Sequence, residues 1–176
     1  MIGFLHFVLF LASIVVEILN VSKNEIDGTT FPELFESTVL RTLDFSFNDL
    51  NETFNVSSLL GLINIQNLHL ADCSILSDLP DNMSLLQSLV VLDFESNLLY
   101  GTIPSTFGEM KTLESILLGF NELTGTIPSE LGALENLKIL DLQSNMLTGT
   151  VPEEIKSMTD LSFNYSGNSI SDENEV

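Results

Sequence analysis

Apolar residues recur along this chain in alternating pairs: Leu19/Val21, Leu43/Phe45, Leu68/Leu70, Leu92/Phe94, Ile116/Leu118, Leu140/Leu142 and, more weakly, Phe163/Tyr165. Alternation of this kind predicts seven short strands, each turning one side inward and the residues between outward. Beyond each pair one position is held by Asn24, Asn48, Cys73, Asn97, Asn121, Asn145 and Asn168, at steps of 24, 25, 24, 24, 24 and 23 residues. Two residues further on comes another apolar group: Ile26, Leu50, Ile75, Leu99, Leu123, Leu147 and Ile170. A single turn of this pattern leaves its apolar side wet. Stacked turns bury it between neighbours, so the period predicts a solenoid with one continuous core.

The recurring asparagine has a physical reason. Where a strand ends and the chain turns inward, backbone groups lose their ladder partners. A buried amide offers both an acceptor and a donor, and is expected to satisfy such groups in its own and the next turn. Cys73 fits the slot by size but brings only a weak S–H donor, so its turn is expected to be the less well satisfied one. After this position come Gly-Thr-Ile-Pro at 101–104 and 125–128, Gly-Thr-Val-Pro at 149–152 and a looser Ser-Asp-Leu-Pro at 77–80. Glycine permits the sharp turn and proline fixes an extended stretch. Met83/Leu86, Phe107/Met110, Leu131/Leu134 and Ile155/Met158 then stand three apart, which predicts one short helical or 3₁₀ turn on the outer surface. Residues 31–64 break the pattern, with Glu52-Thr-Phe-Asn55 where Gly-x-Ile-Pro belongs, and these turns are expected to be the least regular.

The consensus Leu-x-x-Leu-x-Leu-x-x-Asn-x-Leu-x-Gly-x-Ile-Pro resembles the plant-type leucine-rich repeat of receptor-like kinase and receptor-like protein ectodomains and of polygalacturonase-inhibiting proteins. The resemblance runs from about Val16 to Ile170. It implies an α/β solenoid: a right-handed, curved stack with a concave parallel β-sheet, short 3₁₀ or helical turns on the convex side, and a second short strand near Gly-x-Ile-Pro. Such families usually carry cysteine-bearing caps at both ends. A chain whose only cysteine is Cys73 departs from that pattern.

The domain reading is an apolar leader over residues 1–15, a repeat domain of about seven turns over 16–170, and an acidic tail over 171–176. The leader resembles the hydrophobic region of a secretory signal or an anchor, and association with a membrane is expected only through it or through a further region downstream. Sequons at Asn20, Asn51, Asn55, Asn82 and Asn164 are candidate glycosylation sites consistent with an extracellular or cell-surface location. By repeat position, Asn20 and Asn164 point outward from the sheet.

Charge narrows the partners. Five Lys and Arg stand against 25 Asp and Glu, a formal net charge of −20. Nucleic-acid binding needs cations to neutralise phosphates, so no nucleic acid is expected, and a basic protein or peptide ligand fits better. With His69 the only histidine outside the leader, and no nucleotide-binding loop, metal-ligand spacing or nucleophile elbow, no enzyme activity, metal or cofactor is expected. A buried thiol in an acidic chain is not expected to be reactive at Cys73.

What remains is the outward sheet face. The central row reads Asn20, Asp44, His69, Asp93, Leu117, Asp141 and Asn164. Two residues on lie Ser22, Ser46, Ala71, Glu95, Gly119, Gln143 and Ser166, and just before the ladder position Lys23, Phe47, Asp72, Ser96, Phe120, Ser144 and Gly167. The expected partner-binding residues are Asp44, Phe47, His69, Asp72, Asp93, Glu95, Leu117, Phe120 and Asp141. Phe47, Leu117 and Phe120 would serve as apolar anchors, and the acids would steer a cationic ligand. The fold resemblance alone leaves a second reading, a secreted inhibitor of a cell-wall hydrolase. An ice-associating surface is disfavoured by the mixed residues of this face.

Overall fold

The computed structural model describes residues 16–27, 32–51 and 54–171. The leader expected over 1–15 lies outside the described residues, as does the acidic tail beyond Ser171. Seven strands form one parallel sheet: β1 (Ile18–Asn20), β2 (Thr42–Asp44), β3 (Asn67–His69), β4 (Val91–Asp93), β6 (Ser115–Leu117), β8 (Ile139–Asp141) and β10 (Ser162–Asn164), paired in that order. The register stacks Leu19, Leu43, Leu68, Leu92, Ile116, Leu140 and Phe163 one above the next. From Leu43 to Leu140 these inward residues are fully buried, as are Leu70, Phe94, Leu118 and Leu142, while Leu19, Val21, Phe163 and Tyr165 at the two ends are half-buried. Each fully buried aliphatic or aromatic side chain contributes about 1.5–3 kcal/mol relative to exposure. The core is therefore a line of side chains along the stack.

The second strands form a four-stranded sheet of their own: β5 (Tyr100–Thr102), β7 (Glu122–Gly125), β9 (Met146–Gly149) and β11 (Ser169–Ile170), in the order β11-β9-β7-β5. Single bridges at Asp78–Tyr100 and Asp27–Asp49 are what earlier turns contribute to this side. Gly125 is required where it stands. Its φ is +81°, and a Cβ there would come within 2.9 Å of the Thr102 Cγ2 methyl. On the outer side, 3₁₀ turns at Val56–Gly61, Asp81–Leu85, Ser105–Glu109 and Ser129–Ala133 follow one another between α1 (Pro32–Phe35) and α2 (Glu153–Lys156). Pro80, Pro104, Pro128 and Pro152 stand just before four of them, holding the entry extended. The apolar pairs three apart turn inward as expected, with Met158 only partly buried. The irregular region departs as anticipated: it opens with α1, has no second strand among its described residues, and packs Phe35 edge-on against Phe54 with ring centroids 5.8 Å apart.

The ladder asparagines bind in the direction opposite to the expected one. Each carbonyl oxygen accepts from a backbone N–H of the preceding turn: Asn48 from Ile26 (3.0 Å), Asn97 from Ile75 (3.0 Å), Asn121 from Leu99 (2.9 Å), Asn145 from Leu123 (2.9 Å) and Asn168 from Leu147 (2.9 Å). Each amide nitrogen donates both to its own turn and to the one before, as Asn121 does to Leu118 O (3.1 Å) and Phe94 O (3.0 Å). Asn24, in the first described turn, is exposed and donates only locally, to Val21 O and Ser22 O.

Cys73 corrects a second expectation. With no side-chain acceptor there, the N–H of Leu50 turns to the Cys73 backbone carbonyl at 3.0 Å, joined by Asn51 N–H at 3.3 Å. The backbone adapts through left-handed conformations at Asn51 (φ 51°) and Ser74 (φ 55°). The thiol itself donates to Phe45 O at 3.2 Å. Nothing in this turn is starved: the main chain supplies the acceptor that the side chain lacks. Burial pushes the thiol up to about 11, so it stays protonated.

Candidate functional site

The open side of the seven-stranded sheet brings the predicted residues into rows. Strand register sets Asn20, Asp44, His69, Asp93, Leu117, Asp141 and Asn164 side by side. Most of this row also does local work that spacing did not reveal. Asp44, Asp93 and Asp141 each use Oδ1 to accept from the backbone N–H two residues on, at Ser46 (2.9 Å), Glu95 (3.2 Å) and Gln143 (3.0 Å). Asn20 and Asn164 do the same for Ser22 and Ser166. These are Asx turns that finish each strand. The second carboxylate oxygens face neighbours: Asp44 Oδ2 accepts from Asn20 Nδ2 (2.7 Å), and Asp141 Oδ2 from Gln143 Nε2 (2.8 Å).

Asp93 Oδ2 meets His69 Nδ1 at 3.3 Å. That hydrogen bond raises the imidazole above its ordinary value of 6.5; burial works against it, while the Asp93 and Asp44 charges add to the rise. Glu95 is also raised above its ordinary value, chiefly by burial and then by the Asp141 and Asp93 charges. Three carboxylates thus converge on the middle of the face. Gly119 lies buried beneath them: a Cβ would stand 3.1 Å from Gln143 Cγ and 3.2 Å from Asp141 Oδ1.

A further regularity lies in the position before each ladder residue. Lys23, Phe47, Asp72, Ser96, Phe120, Ser144 and Gly167 all adopt φ between 52° and 73°. Glycine or Asp suits that left-handed conformation; phenylalanine does not, at a cost of roughly 1–2 kcal/mol. Phe47 and Phe120 nevertheless occupy it with 50% and 48% of their surface exposed. Phe120 stands between Ser96 and Ser144, small neighbours that leave its ring uncovered, and half-buried Leu117 sits in the adjoining row. Phe47 is partly covered by Lys23, whose Nζ lies 5.4 Å from the ring centroid. Asp72 is exposed beside it.

Among the described residues no cluster of three or more His, Cys, Asp or Glu side chains is arranged to hold a metal ion. No helix among them is long and apolar enough to cross a membrane. Of the sequons, Asn20, Asn55 and Asn82 are exposed, while Asn51 and Asn164 are half-buried. Asn55 caps the Val56–Gly61 turn by accepting from Ser57 N–H.

A family model described as Leucine Rich Repeat matches residues 88–110, 112–134 and 136–158. Solved structures agree. The PEPR1–AtPEP1 crystal structure is 29% identical with a TM-score of 0.78, over 87% of this chain and 22% of that one. The ectodomain of the Arabidopsis receptor kinase HAESA, solved with an IDA peptide hormone ligand, is 26% identical with a TM-score of 0.78, over 86% and 25%. A chain of the Arabidopsis thaliana BIR3–SERK2 complex is 32% identical with a TM-score of 0.59, over 72% and 70%. The chain thus spans about a quarter of the length of the first two of these chains. No curated protein sequence matches it.

Proposed function

The chain belongs to the leucine-rich repeat proteins and resembles plant receptor-kinase ectodomains, and from that premise we propose that its open sheet face is a non-catalytic recognition surface for a basic protein or peptide segment. The observation that carries this reading is Phe120. An exposed aromatic ring held in a left-handed backbone position serves neither the core nor the turn, and such strain persists where a side chain is kept for something else. Beside it Leu117 adds apolar area, and Asp93, Glu95 and Asp141 supply a negative field. Burial is the main reason Glu95 stands above its ordinary value, and the Asp141 and Asp93 charges add to it; a basic residue bound there offsets that added repulsion, so electrostatics favour a cation over an anion. The peptide hormone ligand bound by the HAESA ectodomain supports a peptide-sized ligand, as does the face itself, since seven strands about 4.8 Å apart give a length of roughly 30 Å. Their ectodomain character supports a location outside the cell or at its surface.

The test uses two synthetic peptides of equal length, one alternating basic and aliphatic residues and one alternating acidic and aliphatic residues. The basic peptide is expected to bind, and Asp93→Lys with Glu95→Lys to weaken it far more at low than at high salt. Equal binding of both peptides, or unchanged low-salt affinity in the double variant, defeats the proposal.

A further inference from the structure

Of the five glycosylation sequons, the fold sets one apart. Asn82 lies in the Asp81–Leu85 turn on the outer side, away from the open sheet face, and is exposed. Its side chain makes no hydrogen bond among the described residues. The other four amides are engaged or crowded. Asn20 donates to Asp44 (2.7 Å) and accepts from Ser22, on the sheet face itself. Asn55 caps its turn through Ser57 N–H, while Asn51 and Asn164 are half-buried, and Asn164 accepts from Ser166. The stack leaves Asn82 room. One turn back stands Ser58 and one turn on Thr106, both small and both committed to main chain: Ser58 Oγ donates to Asn55 O (2.7 Å) and Thr106 Oγ1 to Asp81 O (2.8 Å).

An observation independent of the motif calls for a cover at the same place. Leu85 closes this turn, three residues beyond Asn82, with 65% of its surface exposed. Residues three apart in a 3₁₀ turn lie one above the other, so Asn82 and Leu85 share a side. The equivalent position in neighbouring turns is held by Gly61, Glu109, Ala133 and Ser157, none of them a large apolar group. Only in the turn that carries the sequon does a leucine stand here in water.

We infer that Asn82 carries an N-linked oligosaccharide whose first sugar rings lie over Leu85. The acceptor is the Asn82-Met83-Ser84 sequon. In the transfer, Asn82 Nδ2 bonds to the anomeric carbon of an oligosaccharide held on a lipid pyrophosphate. The sugar–phosphate C–O bond breaks, the lipid pyrophosphate leaves with the electron pair, and one amide proton passes to a base of the glycosyltransferase that catalyses the step. Whether the sugar is added before or after the turn closes, the finished stack must house it, and at Asn82 it displaces no bond. The C–H faces of the rings then shield Leu85 from water, and their hydroxyls make the spot hydrophilic. The outer position leaves the open sheet face clear for a ligand. The inference rests on the extracellular or cell-surface location proposed above, because donor and transferase are met on the secretory route.

The test expresses the full chain in a eukaryotic host, once with its own N-terminus and once behind a cleavable secretion signal. Peptides of the exported protein are mapped by mass spectrometry after peptide N-glycosidase in heavy-oxygen water, which converts each occupied asparagine to a labelled aspartate. Asn82 is expected to be occupied, and more fully than Asn51 or Asn164. Ser84→Ala should abolish the label there, and Ser84→Thr, which keeps the sequon, should restore it. Exported Ser84→Ala is expected to bind an apolar fluorescent dye more strongly than the glycosylated parent. Ser84→Ala combined with Leu85→Ser should lose that rise. Exported protein bare at Asn82 overturns the site and leaves the location standing. A dye rise indifferent to Leu85 overturns the shielding. Glycosylation of the signal-led chain, with the native N-terminus held inside the cell, supports the site and defeats the location instead.

Discussion

Phe120 sets stability against recognition within a single residue. Its left-handed φ of 55° is poorly suited to an aromatic side chain, and half of the ring gains nothing from burial. Asparagine tolerates that conformation, so Phe120→Asn should raise unfolding free energy by up to about 1 kcal/mol while weakening a bound basic peptide. Denaturant melts and peptide titrations on the same sample check both halves; a variant less stable than the parent contradicts the strain argument. His69 gives a second residue-level expectation. Its pKa is raised in the folded state by Asp93, so the pair's contribution is fully present below pH 6.5 and is lost as pH rises through the folded value. An NMR titration should place the imidazole midpoint above 6.5, and Asp93→Asn should bring it down. A midpoint indifferent to that substitution removes the coupling.

At the scale of the element, the repeating turn is a strand, a left-handed residue and an amide that reaches back. Removing the amide at Asn121 orphans the N–H of Leu99, while the carbonyls of Phe94, Leu118 and Gly119 keep the bonds they accept from Asn97 Nδ2, Asn145 Nδ2 and Ser96 N–H. At about 1–3 kcal/mol for a buried donor left unpaired, Asn121→Ala should cost at least that much. Cys73→Ala should cost far less, because the corresponding N–H of Leu50 is held by main chain. Equal losses in thermal melts would show that the backbone substitution at Cys73 is not effective. The strands and the ladder were legible in the sequence because inward leucines and asparagines repeat at a nearly constant step. The direction of the amide bonds was not, since a period has no sense of forward or back. Nor was the left-handed slot, because Lys23, Phe47, Ser96, Phe120 and Ser144 are not residues that announce positive φ.

For the whole molecule, the charge imbalance dominates. A formal −20 spread over a thin stack gives self-repulsion that no central core offsets. The described ion pairs are few and mostly solvent-facing, such as Lys138–Glu114 at 2.7 Å and Lys156–Glu153 at 2.8 Å, so they contribute little. Raising sodium chloride from about 0.01 to 0.15 M, which shortens the Debye length from roughly 30 to 8 Å, should therefore raise the melting temperature. A melting temperature that falls over this range would mean that attractive pairs outweigh the net repulsion. The same screening should weaken capture of a basic peptide, so tighter folding and looser binding are expected to move together with salt.

The sole sulfhydryl of the chain sits in the one rung where a main-chain carbonyl stands in for an asparagine. Shielded from solvent and held protonated, it is inaccessible to an alkylating dye until the layers on either side part. Its modification rate is thus a clock built into the protein. Timed with and without bound peptide, it would report how often the column breathes at its substituted joint.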